Sequence, residues 1–196
     1  MSYSADHKLK VRKSIVESAR VLFNRHGFEG VTIDKVMELA GLTRGGFYNH
    51  FKNKEELYSE AVSSFLMGRG AQWRAEAGVD PASPGPEMAR RMVQSYLSSE
   101  HLGDLDGQCP MIALPSDVAR SGTEVQSSYQ RLLESMVSLF EGGLAQENGA
   151  ARQQALSLAA LCVGGMVLAR SLPDSALARE VQTAARLSAD AIIQDK

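Results

Sequence analysis

Few cysteines and no paired histidines limit the chemistry that this chain can support. Two cysteines, Cys109 and Cys162, in 196 residues are too few for a disulfide framework or a cysteine zinc site. The four histidines form no ligand pair at helical spacing, so we expect reduced thiols, no metal and no cofactor. The chain also lacks a glycine-rich phosphate loop and a Gly-x-Ser-x-Gly turn, which argues against an enzyme.

Long apolar runs are also missing. The longest, Leu158 to Ala169, has about 12 residues and contains two glycines, whereas a helix needs roughly 20 apolar residues to cross a bilayer. The first residues, MSYSADHKLKVRK, are polar and basic and lack the apolar stretch of a signal peptide. We therefore expect a cytoplasmic protein with no membrane partner.

Positive charge is concentrated in the N-terminal segment. Residues 1–54 contain ten Lys and Arg but five Asp and Glu, which gives this segment a net charge of +5. Because the whole chain carries −2, the remainder carries −7. This asymmetry favours a polyanion-binding head on an acidic body, although a charged face that is merely solvated gives the same count.

Residues 32–51 predict two short helices joined by a tight turn. Thr32 is a suitable N-cap, Gly41 fits the left-handed residue that ends a helix, and Thr43 is expected to cap the second helix. In that second helix Phe47 and Phe51, four residues apart, face inward. The apolar face of the first helix follows a 0, 3, 4, 7 spacing: Ile33, Val36, Met37 and Ala40. The outward face of the second is polar and low in bulk: Arg44, Gly45, Gly46, Tyr48, Asn49 and His50.

The preceding segment predicts a third helix with one apolar face, which ends near Gly27. Its inward residues follow a 0, 4, 7, 8 spacing: Ile15, Ala19, Leu22 and Phe23. Three such helices can close a small core. Two helices around a glycine turn form the helix-turn-helix arrangement, in which the second helix enters the major groove of DNA. We therefore expect a DNA-binding domain over residues 1–53.

Residues 54–196 predict a second, entirely helical domain. Asn53 caps a helix that we expect to continue to about residue 75, followed by a Pro- and Gly-rich loop over 77–86. Further helices are expected over 87–100, over 109–119 with an interruption at Pro115, and from a Thr123-x-x-Gln126 capping box to about residue 146. The last two helices are expected over 151–171 and 175–194. With no convincing strand, the predicted fold class is all-α with about nine helices.

The penultimate helix is apolar nearly all round and must be covered on more than one side. Its small residues permit close helix contact: Ala159, Ala160, Gly164 and Gly165. The last helix offers a matching face: Leu177, Val181, Ala184, Ala185, Ser188 and Ile192. Two interpretations follow, a buried central helix in a monomer or a four-helix interface between two chains.

The N-terminal 60 residues resemble the TetR family of bacterial transcriptional regulators. The resemblance rests on several motifs in family order: Ala19-x-x-Leu22-Phe23, Gly27-Phe28, Thr32-Ile33, Ala40-Gly41-Leu42-Thr43, Gly45-x-Phe47-Tyr48-x-His50-Phe51 and Lys54-x-x-Leu57. Thr43 and Gly46 depart slightly, since Ser and a small side chain are commoner there. The resemblance implies a homodimer formed by the last two helices, which binds a pseudo-palindromic DNA operator.

The resemblance also implies roles for individual residues. Those expected to hold phosphates are Thr32, Tyr48, His50 and Lys54. Those expected to face base edges are Thr43, Arg44, Gly46 and Asn49. Each position has a plainer alternative, because an exposed Arg can be a solvated charge and His50 or Tyr48 can serve in capping or packing. A helical interaction module that has lost DNA binding is a further alternative, which the acidic pI near 6.1 favours.

A small-molecule cavity in the helical body is likewise implied, with an effector that moves the helix beginning at Lys54 and releases DNA. The candidate lining residues are Trp73, Met92, Tyr96, Cys109, Met111, Tyr129, Met136 and Cys162. Since few charges lie among them, we expect an apolar or aromatic effector that is uncharged or weakly charged. Methionines can equally be ordinary core filling.

The segment Gly107-Gln108-Cys109-Pro110 resembles a Gly-Cys motif of some TetR-like regulators. A helix start can depress the pKa of a thiol, so Cys109 as a sensor of electrophiles or oxidants is an alternative hypothesis. An inert buried cysteine is the competing interpretation.

Overall fold

A computed structural model describes residues 5–144 and 150–194, and this part of the chain contains helices and no strand. The N-terminal head consists of α1 (Ala5–His26), α2 (Ile33–Leu39) and a six-residue 3-10 helix (Arg44–Asn49). The predicted all-α class and the helix-turn-helix arrangement are confirmed. The predicted domain boundary at residue 53 stays a prediction, because α3 (Lys54–Ser64) packs against both α1 and the body.

The body contains eight further helices that surround one continuous core. They are α4 (Arg69–Glu76), α5 (Pro86–Tyr96), α6 (Ser99–Gly103), α7 (Pro110–Ala113), α8 (Pro115–Ala119), α9 (Thr123–Gly143), α10 (Ala150–Arg170) and α11 (Ala176–Gln194). The predicted loop over 77–86 and the interruption at Pro115 are present. The predicted end of α9 near residue 146 lies outside the described residues.

The long helix predicted from Asn53 to about residue 75 is wrong, because it breaks between α3 and α4. The amide of Gly70 donates to the carbonyl of Phe65 at 2.8 Å, one residue beyond the normal helical partner. A Cβ atom on Gly70 would lie 2.7 Å from the Phe65 ring, so glycine permits this close approach.

Two predicted caps are also wrong, while two others are confirmed. Thr43 makes no side-chain cap to the 3-10 helix, and Gly122 rather than Thr123 is the N-cap of α9. By contrast, Thr32 Oγ1 accepts from the Lys35 amide at 3.3 Å, and Asn53 Oδ1 accepts from the Glu56 amide at 2.8 Å. Side-chain type alone identifies a cap poorly where the turn before the helix has another geometry.

The head is tied to the body through the segment that precedes α7. Asn24 of α1 donates to the carbonyl of Gln108 at 2.8 Å, and Arg25 pairs with Asp106 through Nη2 and Oδ2 at 2.8 Å. Arg170, at the end of α10, donates to the carbonyl of Asn24 at 3.0 Å and also to the Gln108 side chain. Three parts of the molecule therefore meet at Gln108: the head, the end of α10, and the start of α7.

Candidate functional site

The turn between α2 and the 3-10 helix fixes the orientation of the outward-facing residues. Gly41 has φ +70°, and the following amide, that of Leu42, donates to the carbonyl of Met37 at 2.8 Å. This left-handed ending redirects the chain as the sequence predicts. Phe47 and Phe51 then fill the core beneath the turn, with ring centroids 5.5 Å apart. Because these two rings are buried, the intervening side chains must point outward.

The predicted DNA-contacting residues of the head differ in exposure. Thr32, Thr43, Arg44, Tyr48 and Asn49 are exposed, while Gly46 and His50 are half-buried. Tyr48 keeps 60% of its surface accessible although its ring meets Phe47 edge-to-face. An aromatic ring held in this way on a polar surface is unusual for packing alone.

A groove beside the 3-10 helix adds residues that the sequence prediction did not include. It has a volume of about 460 Å³. Lys8 and His7, from the first turns of α1, line it together with the predicted residues Thr43, Gly46, Asn49 and His50. The charge count included Lys8, but only the packing of α1 across the turn places this ammonium at the groove.

Arg44 is held by an acidic neighbour on α2. Its Nη1 lies 2.5 Å from Asp34 Oδ2, and both side chains are more than half exposed. Such an exposed ion pair stabilises the protein by about 0–1 kcal/mol, so it orients the guanidinium but holds it only weakly. Arg44 can therefore exchange this carboxylate for a base edge at little cost.

Lys54 is engaged within the protein. Its Nζ donates to the carbonyls of Phe28 and Val31, at 2.8 and 3.0 Å, and lies 3.9 Å from the centroid of the Phe28 ring. Two of its three donors thus stabilise the turn between α1 and α2. One donor is left for a phosphate, which makes the predicted phosphate contact a secondary role.

His50 lies among cations. Its Nδ1 is buried with no hydrogen-bond partner among the described residues, and Arg12 donates to its carbonyl while covering the Phe51 ring. Burial, together with nearby Lys8 and Arg12, lowers the pKa of His50. The neutral form of the imidazole is therefore favoured at neutral pH.

The body contains a cavity of about 630 Å³ bounded by α4, α5 and α9. Six predicted effector residues line it: Trp73, Met92, Tyr96, Cys109, Met111 and Met136. The other two do not. Tyr129 donates its hydroxyl to the carbonyl of Met111 at 3.3 Å, and Cys162 is fully buried in α10. This volume and largely apolar lining suit a drug-sized molecule.

The cavity also carries polar side chains that the sequence prediction missed. They are Arg74, His101, Arg131 and Glu134. His101 is buried, its Nδ1 lies 2.9 Å from the carbonyl of Tyr96, and its ring packs against Trp73 at 5.0 Å. No local sequence pattern marks these residues, because they come from three different helices that only the tertiary packing brings to one cavity.

The structure contradicts a depressed pKa for Cys109. The thiol is buried, and this burial raises its pKa to about 11, although interactions with Tyr96, the Met111 backbone and Arg74 act in the opposite direction. The helix it precedes, α7, has only four residues and so contributes little dipole. A protonated, buried thiol is a poor nucleophile.

Apolar residues on α10 and α11 remain exposed in the isolated chain. Leu156, Leu168, Leu177 and Leu187 keep 45 to 63% of their surface accessible. Of the face predicted for α11, Ala185 is buried against α10, whereas Leu177, Ala184 and Ser188 are exposed. By length and composition alone α10 could cross a membrane, with a mean hydropathy of 1.2, but its buried face packs on α9 and α11 as in a core helix. The described residues contain no cluster suited to a metal ion.

Comparison with known proteins identifies the head. Residues 15–61 match the family model described as bacterial regulatory proteins, tetR family. The chain is 30% identical over 131 residues to the HTH-type transcriptional regulator YhgD of Bacillus subtilis, which covers 66% of this chain and 65% of that protein. It is 49% identical over 55 residues to the TetC protein of an Escherichia coli transposon, and this match covers 28% of each chain. The chain thus spans less than two thirds of these relatives.

The same fold occurs in solved structures. A TetR-family regulator from Cytophaga hutchinsonii superimposes with a TM-score of 0.76 over 98% of this chain and 96% of that one, at 19% identity. Reduced NemR from Escherichia coli gives a TM-score of 0.73 over 93% of this chain and 96% of that one, at 16% identity. These identities support the fold alone, while the matched head supports the family. The head of this chain is therefore a TetR-family DNA-binding domain, and the chain as a whole has the fold of a solved TetR-family regulator.

Proposed function

We propose that this protein is a cytoplasmic, dimeric DNA-binding repressor that a small molecule releases from its operator. The observation that carries this is the outward surface of the 3-10 helix. Arg44, Tyr48 and Asn49 are exposed there on a backbone fixed by two buried phenylalanines, beside the Lys8 groove. Arg pairs bidentately with guanine, and lysines bind phosphates. We propose no enzymatic activity and no cofactor.

A homodimer through α10 and α11 fits the exposed leucines of these helices. Gly164 supports the same assignment, because a Cβ atom on it would meet nothing within 4 Å, so a second helix can approach closely there. Two heads related by a two-fold axis would contact half-sites about one DNA turn apart, in a pseudo-palindromic operator.

The body cavity is our candidate effector site, and a thiol sensor at Cys109 is the weaker alternative. Cavity residues Cys109 and Met111 directly follow Gln108, which bonds to α1 and α10. A ligand that displaces this segment would therefore alter the support of the head. The buried thiol with its raised pKa disfavours reaction with an electrophile.

Arg44→Ala tests the DNA-binding assignment. Gel shifts with the DNA adjoining the gene should give a specific complex for the wild type. In Arg44→Ala we expect discrimination at one base pair to fall by about 1–3 kcal/mol, since a bidentate contact is lost. Lys8→Ala is the comparison variant. It should weaken binding to all DNA sequences about equally and reduce the slope of log binding constant against log salt concentration by about 1.

Two outcomes would contradict the assignment. If the two variants change specific and random DNA binding identically, the separation into base-contacting and phosphate-contacting residues is wrong. If the wild-type protein binds no adjoining DNA more tightly than random DNA, the protein is better described as a helical interaction module.

A further inference from the structure

One wall of the body cavity carries a guanidinium that no carboxylate neutralises. Arg74 lies half-buried on α4, lines the cavity, and donates through Nη2 to the carbonyl of Leu66 at 2.8 Å. Among the residues that the structure describes, Arg74 forms no ion pair with an Asp or Glu. Arg69, on the same helix, instead pairs with both Glu76 and Asp104 at 3.0 and 3.1 Å. On this short helix Arg69 therefore has two counter-ions, whereas Arg74, which lines the cavity, has none among the described residues.

A half-buried guanidinium without a counter-ion is energetically unfavourable unless a bound anion pairs with it. Burial lowers the pKa of Arg74, because removing a cation from water is unfavourable without a compensating anion. A guanidinium offers five N–H donors, and the Leu66 carbonyl accepts a hydrogen bond from one of them, on Nη2 of Arg74. The remaining donors form a planar fork that matches a carboxylate or sulfonate.

A second unsatisfied donor lies in the same wall. The hydroxyl of Tyr96, a buried residue that lines the cavity, has no hydrogen-bond partner of normal geometry among the described residues. The Cys109 thiol interacts with this hydroxyl and with Arg74, but a thiol is a weak hydrogen-bond partner. Buried hydroxyls are normally paired, so an unpaired one facing a cavity indicates a missing acceptor.

Much of the remaining lining is apolar and adaptable, alongside the polar side chains of His101, Arg131 and Glu134. Met88, Met92 and Met136 line the cavity together with Leu132 and Leu139. Methionine side chains adjust to irregular apolar shapes, and Trp73 adds a flat aromatic surface. The cavity therefore combines a small cationic, hydrogen-bond-donating region with a larger apolar one.

We propose that the ligand of this cavity is an amphipathic organic anion, with one carboxylate or sulfonate group on an aromatic or aliphatic body. The acid group binds the Arg74 guanidinium and accepts from the Tyr96 hydroxyl, and the body lies among the methionines. This inference rests on the proposed function, in which the cavity is the effector site. It replaces the uncharged or weakly charged effector expected from the sequence, which did not place Arg74 in the cavity.

Trp73 makes the test specific to this cavity, because it is the only tryptophan in the chain and lines the cavity wall. Two fluorescent probes share one aromatic skeleton: 1-anilinonaphthalene-8-sulfonate is an anion, and N-phenyl-1-naphthylamine lacks the sulfonate. Energy transfer from Trp73 reports the binding of each to the full chain. We expect Arg74→Gln to lower the ratio of anionic to neutral probe affinity about ten-fold, and Tyr96→Phe to lower it about three-fold.

Arg131→Gln is the matched control. Arg131 also lines the cavity, but it is exposed and donates to Ser128 Oγ at 2.8 Å, so its loss should leave the ratio within about two-fold. Should Arg74→Gln fail to fold, displacement of the anionic probe from the wild type by 2-naphthoate and 2-naphthamide decides the question. We expect the carboxylate to displace it at a concentration about ten-fold lower.

The outcomes separate this inference from the proposed function. Equal effects of Arg74→Gln on the two probes, or equal displacement by naphthoate and naphthamide, would overturn the anion preference and leave the cavity as a general ligand site. No energy transfer from Trp73 to either probe would overturn both the anion inference and the assignment of an effector site. Operator binding in the gel shift is independent of both results.

Discussion

At the scale of the residue, Lys54 is predicted to bind a phosphate, but its ammonium group forms hydrogen bonds within the protein. We expect Lys54→Ala to lower the free energy of unfolding by about 1–3 kcal/mol, because the carbonyls of Phe28 and Val31 lose a charged donor. Urea denaturation followed by far-UV circular dichroism measures this. The exposed Lys52 is the control, and its replacement by Ala should change stability by less than about 0.5 kcal/mol.

The same variant separates the two roles of Lys54. If Lys54→Ala keeps wild-type stability but binds every DNA sequence more weakly, the ammonium serves phosphates and its two intramolecular hydrogen bonds contribute little. Loss of stability with unchanged affinity of the folded fraction would assign it to the turn alone.

At the scale of the element, α10 carries adjacent glycines with opposite surroundings. A Cβ on Gly165 would lie 2.9 Å from Ala185 Cβ and 3.1 Å from Leu97 Cδ2, whereas one on Gly164 would meet nothing within 4 Å. We expect Gly165→Ala to destabilise each protomer by about 1–3 kcal/mol through overpacking against α11. Gly164→Ala should leave the protomer as stable or stabilise it by up to about 1 kcal/mol, since alanine favours a helix.

Dimer affinity distinguishes these glycines further. Sedimentation at a series of protein concentrations should show weaker dimerisation for Gly164→Ala, because a methyl group there would separate two closely packed helices. If that variant dimerises like the wild type, the partner helix does not approach at Gly164, and the exposed leucines have another role.

At the scale of the whole molecule, the hydrogen bonds around Gln108 join the head to the body. Because Arg170 bonds both Asn24 and Gln108, we expect the wild type to unfold in one transition. The thermal unfolding transition measured by fluorescence of Trp73, which lies in the body, should then coincide with the transition measured by circular dichroism, which reports all helices. In Arg170→Ala the head should unfold first, so circular dichroism should change at a lower temperature than fluorescence.

Arg179→Ala is the control for this experiment. Arg179 forms an ion pair with Asp174 at 2.8 Å that is exposed to solvent, so its loss should keep the two signals coincident. Coincident signals in Arg170→Ala would show that the other contacts of α1 with residues 104–108 suffice to hold the head.

Local sequence rules predict the head well because each rule there depends on neighbours within a few residues. The cap at Thr32, the left-handed Gly41 and the inward rings of Phe47 and Phe51 all follow from spacing and backbone preference. The rules fail at Thr43, where the hydroxyl does not reach the backbone of a 3-10 helix. They fail again at Phe65, whose carbonyl accepts a hydrogen bond from the Gly70 amide, so that a helix ends where the pattern continues it.

The sequence by itself determined the helical class, the helix-turn-helix head and the family, because these depend on short-range periodicity and on residues close in the chain. It also identified six of the cavity residues, since large apolar side chains seek an interior. Only the tertiary structure showed which charged side chains line that cavity, which carbonyls Lys54 bonds and that Cys109 is buried. Those properties depend on which groups burial brings together, and elements far apart in sequence supply the partners, the desolvation and the space.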